Sequence, residues 1–177
     1  MLRKVDKNCN INAYYAPEIE TKLKHAILEL ISKEPDLHCF TSSTGQTEWN
    51  ICAHLAPEIA KGFPGYSYDL DVTKHDAGNK RPDIVIHKRA IHSFNLLVIE
   101  VKNQGTEEDI ARDEEKIQRY WFKEPYEYYF GAIINFPYFT KDFQKIELKN
   151  NLSKCIRVFE RDSKSAKKIL YRLGERE

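Results

Sequence analysis

The stretch Arg81-Pro-Asp-Ile-Val-Ile-His-Lys-Arg-Ala-Ile-His-Ser-Phe-Asn-Leu-Leu-Val-Ile-Glu-Val-Lys102 decides the reading of this chain. Its two apolar runs, Ile84 to Ile86 and Leu96 to Val101, are rich in β-branched residues and flank a polar segment. That pattern predicts a β-hairpin at the centre of a sheet. Three charged residues stand where a buried sheet should have none: Asp83, Glu100 and Lys102. Side chains of a strand alternate faces, so Glu100 and Lys102 share one face and Val101 takes the other. With the hairpin closing about Ile91 and His92, Asp83 lies opposite Glu100 and joins them on that face. A slip of one residue would send Asp83 to the opposite side.

Two carboxylates held together repel unless something positive lies between them, and a hard divalent cation suits that position. An ammonium beside such a cation can orient a water and stabilise negative charge on a phosphate. The bland alternative is a hairpin whose end carries a surface ion pair, with Asp83 capping a turn after Pro82.

Pro82-Asp83, a spacer and Glu100-Val101-Lys102 resemble the PD-(D/E)xK phosphodiesterase superfamily, whose fold is restriction-endonuclease-like. The resemblance spans roughly 44–136. It implies an α/β domain with a mixed central β-sheet flanked by helices, and a nuclease acting on DNA with Mg2+ or Mn2+. It also implies that Asp83, Glu100 and the Val101 carbonyl ligate the metal while Lys102 positions the attacking water. Members often add a Glu from the helix before the sheet, and Glu48 stands in the matching place. An acid in a first helical turn equally complements the helix dipole, so both readings of Glu48 stay open. Some exonuclease-like members carry Gln-x-x-x-Tyr on the helix after the sheet. Here Lys116 and Tyr120 occupy those positions, a departure from that branch, and Lys116 reads as a phosphate contact or as a surface lysine paired with Glu115 or Asp113.

The rest of the chain is consistent with one domain. Its 177 residues suffice for a substantial core, with a helix at 17–33 before the nuclease-like part and strands and a basic helix at 143–174 after it. Charged residues make up 31% and apolar ones 41%, and no apolar run approaches a membrane span. The first residues lack the apolar core of a secretory signal, so the expected location is cytoplasmic. Cys9, Cys39, Cys52 and Cys155 show no Cys-x-x-Cys pair and read as free, buried thiols. A net charge of +1 requires any nucleic-acid contact to gather its positive charge locally. From Lys149 onward nine Lys or Arg face four acids, which suits phosphate contact and a solvated terminal helix equally.

Between these landmarks, Pro17 to Lys33 carries a helical apolar stripe, ending at Glu34-Pro35-Asp36, and Leu37 to Phe40 reads as a short extended piece. A second helix starts near Gln46, capped by Thr44 or Thr47, turns Trp49, Ile51, Cys52, Leu55 and Ile59 to the core, and is kinked or split by Pro57. Tyr66 to Val72 alternates as a strand with Asp69 and Asp71 on its second face. Asp71 is a reserve site residue if it packs beside Asp83, and otherwise a solvent-facing acid of an edge strand. Thr106-Glu-Glu-Asp109 opens a helix that buries Ile110, Ile117, Tyr120 and Trp121. Tyr126 to Phe136 returns as a strand parallel to the Glu100 strand. Phe143 to Leu148 and Ile156 to Phe159 suggest further strands, and Ser163 to Leu173 a terminal helix. The rival function from another class is a catalytically inactive nucleic-acid or protein binding module on the same fold. A homodimer stays open.

Overall fold

In the computed structural model, the described residues are 14–35, 37, 47–72, 78–89, 91–136, 151–161 and 167–168. They form an α/β arrangement in which a mixed sheet is flanked by helices. Helix α1 spans Ala16–Lys33 and α2 Thr47–Lys61. Strands β1 (Ser67–Leu70), β2 (Ile84–His87) and β3 (Asn95–Asn103) follow. Helix α3 (Glu107–Lys116) widens into a π segment at Ile117–Trp121, and β4 (Phe130–Phe136) and β5 (Ile156–Glu160) complete five strands. A two-residue piece, β6 (Lys167–Lys168), pairs with the end of β5.

Spatial order equals chain order, β1 to β6, and every neighbouring pair is antiparallel except β3 and β4. That exception follows from the connection, since α3 carries the chain across a face and returns it in the same direction. The β2–β3 register pairs Ile84 with Ile99, Val85 with Val98 and Ile86 with Leu97. Extended by one residue it sets Asp83 opposite Glu100, the register of a hairpin closing about Ile91 and His92 and not the one slipped by a residue.

The two faces differ. Ile84, Ile86, Leu97, Ile99 and Val101 pack under α1 and α2 in one large apolar core. Val85, Val98 and Ile133 pack on the other face with Ile110, Ile117 and Trp121 of α3 and its π segment. Helix α3 begins with a complete capping box, Thr106 accepting from the Asp109 N–H while the Asp109 carboxylate accepts from the Thr106 N–H. Beneath its far end lies Gly131. A Cβ there would come 2.4 Å from a methyl of Ile117, so β4 tolerates the π segment only because this position lacks a side chain.

Several expectations change. Pro57 does not split α2, which runs unbroken past it. Trp49 does not enter the core and is 60% exposed. The first strand is shorter than 66–72, because Asp71 adopts a left-handed φ of 47° and ends it. Residues 167–168 are extended, not helical. The pieces expected at 38–40 and 143–148, the rest of the expected terminal helix, Thr44, Cys9 and Cys39 lie outside the described residues. Cys52 and Cys155 are free thiols. No helix among the described residues is long and apolar enough to cross a membrane.

Candidate active site

Strand β2 starts at Ile84, so its partner β3 extends beyond it, and the residue opposite Val101 in the extended register is Pro82. Proline has no N–H to donate to the Val101 carbonyl. The Val101 N–H is met instead by the Asp83 side chain, whose Oδ2 accepts it at 2.6 Å. Pro82 and Asp83 therefore end the ladder together, and they leave the Val101 carbonyl facing the same place as the Asp83 carboxylate. Lys102 Nζ reaches that carbonyl at 3.4 Å.

Glu100 is 1% exposed, and both of its oxygens are held from the far helix. Trp121 Nε1–H donates to Oε1 at 3.0 Å and Lys116 Nζ to Oε2 at 2.5 Å. The π segment explains how one helix supplies both. Residues five apart are about 140° out of line at 3.6 residues per turn. The i→i+5 bonding of a π turn, seen in the Phe122 N–H to Ile117 carbonyl bond, stacks them instead. Lys116 also donates to the Arg81 carbonyl at 2.9 Å, so it links Glu100 to the segment entering β2. The expected pairing of Lys116 with Glu115 or Asp113 is thus replaced by a bond to the central acid.

Lys102 lies between Asp113 Oδ2 at 3.3 Å and Glu48 Oε2 at 3.8 Å. Glu48 comes over the end of the sheet from the first turn of α2, where its Oε1 accepts the Asn103 N–H at 3.0 Å. The loop after β3 keeps Lys102 in place. Gly105 and Asn135 exchange two bonds of 2.9 Å, and a Cβ on Gly105 would stand 2.9 Å from that of Lys102. Asp71, the reserve residue, pairs with Arg81 at 3.0 Å and stays outside this group.

Asp113 was not singled out by sequence. It is 8% exposed, and its Oδ2 makes no hydrogen bond, the approach of Lys102 being an ion contact without bonding geometry. A signal existed, because Asp113 falls between Ile110 and Ile117 in the buried stripe of α3, where an acid is out of place. Trp121 was read only as core, and its indole N–H is what gives it a polar partner inside.

Four carboxylates, those of Asp83, Glu100, Asp113 and Glu48, thus face two ammonium groups, a formal surplus of two negative charges. Burial pushes the Glu100 carboxyl up to about 8 against the pull of Lys116, with Asp83 adding to the rise. Asp83 is also raised by burial, opposed by its bond from the Val101 N–H. For Lys102, burial favours the neutral amine, but Asp113, Glu48 and Asp83 outweigh it and hold the group above its ordinary value. It is therefore an ammonium at neutral pH and a donor, not a base.

The donors are hard oxygens, and once all four acids are ionised the surplus charge equals that of one divalent cation. Among the described residues no three His, Cys, Asp or Glu side chains gather into a metal cluster. A cation would rest on two carboxylates, Asp83 and Glu100, with the Val101 carbonyl and water, which suits magnesium, an ion that keeps much of its hydration. Compared with protein families, with curated proteins and with solved structures, the chain matches none.

Proposed function

We propose that this chain is a divalent-metal-dependent nuclease of restriction-endonuclease-like fold that hydrolyses phosphodiester bonds in DNA. The observation that carries the reading is the register that sets Asp83 against Glu100 on the face from which Lys102 also projects, beside a proline that has no N–H for the Val101 carbonyl. Bound Mg2+ or Mn2+ would supply Lewis-acid stabilisation of the phosphate. Asp83, Glu100 and the Val101 carbonyl would hold it. Lys102, kept charged by Asp113 and Glu48, donates toward the attacking water or a phosphate oxygen and lowers the cost of charge developing there. Asp113 fixes the ammonium from the helix side, and Glu48 fixes it from the solvent side.

The test compares the wild-type chain with Lys102→Ala and Asp83→Ala on linear, circular and single-stranded DNA with magnesium or manganese, with metal binding followed by calorimetry. Lys102→Ala should retain metal affinity and lose about two to three orders of magnitude in cleavage. Asp83→Ala should lose both. Cleavage by Lys102→Ala at the wild-type rate would overturn the mechanism.

One observation favours a second reading, a binding module without catalysis. Both Glu100 oxygens are already met, by Trp121 and Lys116, so the site can neutralise its central acid from within. Wild-type protein that binds DNA but neither binds metal nor cuts would favour this reading.

A further inference from the structure

Trp49 is the second of only two tryptophans, and it differs from Trp121 in every respect that matters. Trp121 is buried and bonded to Glu100. Trp49 is 60% exposed in the first turn of α2, directly after Glu48. A tryptophan face left in water forgoes apolar burial and stays open to a ligand.

Helical phase supplies the location. At about 100° per residue, Trp49 lies about 20° from Ala56 and about 60° from Cys52, and Glu48 lies about 40° from Cys52 on the other side. Ala56 and Cys52 are both buried in the core that α1, α2 and the sheet share. Trp49 therefore lies on the flank of the buried stripe of α2, one turn before Cys52. Glu48, its neighbour, has already reached the Asn103 N–H and the Lys102 ammonium at the end of the sheet. Trp49, exposed and next to Glu48, thus stands in the helical turn that borders the site.

We propose that Trp49 is a stacking platform for an unpaired nucleobase beside the phosphate held at Lys102, so that the preferred substrate is a single strand or a frayed end. This inference rests on the nuclease reading for the identity of the ligand. A base inside a duplex is stacked on both sides and offers no face to an indole, whereas an unpaired base offers one, whatever its identity. The metal-free site brings no net positive charge, its four carboxylates outnumbering two ammonium groups, so aromatic stacking is the means by which this rim can hold a strand.

The experiment uses the full chain in EDTA, so that no cleavage intervenes. Oligothymidylate is titrated while tryptophan emission is followed, and binding is measured in parallel by anisotropy of a labelled strand. With Trp121 buried, a saturable change in emission reports Trp49. Wild type and Trp49→Phe should bind within about threefold of each other, and Trp49→Ala should bind about tenfold or more weakly. Blunt duplex of matched length should bind wild type and Trp49→Ala alike. Equal affinity of Trp49→Ala for the single strand overturns the proposal, as does an unchanged emission on binding or no binding of oligothymidylate at all. A fall of several degrees in the melting temperature of Trp49→Ala would also overturn it, by showing that the indole packs. Stacking without cleavage when metal is restored would leave this subsite standing and sink the nuclease reading. Cleavage that Trp49→Ala leaves untouched on single strands would do the reverse.

Discussion

The two faces of the sheet are built from alternate residues of the same strands, yet they are covered in different ways. Toward α1 and α2, strand β3 presents Leu97, Ile99 and Val101, all fully buried among aliphatic side chains. Toward α3 it presents Val98, then Glu100, then Lys102, so the apolar face turns ionic within two pleats. The first face stabilises by removing apolar area from water, while the second spends some of that stability on buried charge. A chain that needed only to fold would have continued Val98 with apolar residues. The contrast is the clearest sign that the α3 face has been shaped by something other than stability.

Adjacent substitutions on β3 should therefore differ widely in cost. Ile99→Ala opens a cavity in the apolar face and should cost about 2 to 5 kcal/mol, read from the urea midpoint. A loss below about 1 kcal/mol would break the comparison. Glu100→Gln on the other face should cost little at pH 8 or even stabilise, since it removes a buried charge while Gln can still accept from Trp121, and Lys116 is exposed enough to return to water.

The same residue sharpens the comparison through pH. Burial pushes the folded Glu100 carboxyl up to about 8 from an ordinary 4.5, so between those values the folded chain holds a proton that the unfolded chain has lost. Its contribution is fully present below about pH 4.5 and disappears as pH rises through 8, with a slope of at most about 1.4 kcal/mol per pH unit. Stability of the metal-free wild type should fall from pH 5 to 8, and Glu100→Gln should flatten that slope. Parallel slopes in the two proteins would show that another group is responsible.

The smallest effect concerns the helix that covers the ionic face. Within α3 proper only Ile110 and Asp113 are buried, so this helix leans on its capping box more than α1 does. Thr106→Ala should cost about 1 kcal/mol, measured by chemical denaturation. It should also weaken protection of the Ile110 amide from hydrogen exchange, because that N–H donates to the Thr106 carbonyl in the first turn.

Much of this architecture is carried by short-range pattern. The apolar runs Ile84 to Ile86 and Leu96 to Val101 marked the hairpin, and period two put Glu100 and Lys102 on one face, while the register that adds Asp83 to them was an assumption until the strand pairing gave it. Period-two geometry depends on neighbours alone. The capping box at Thr106 and the parallel return of β4 were legible for the same reason, since caps and crossover connections are set by residues close in sequence. What only the tertiary structure decided are the contacts between elements. The π segment brings Lys116 and Trp121 to one carboxylate, Asp113 faces Lys102 from another element, Asp71 turns away to Arg81, and Trp49 stays exposed in a helix whose Cys52 and Ala56 are buried. A helical stripe states which side faces inward, but not where the opposing sheet stops or when a turn widens. Those follow from strand lengths and packing across tens of residues, as with Gly131, which makes room for Ile117.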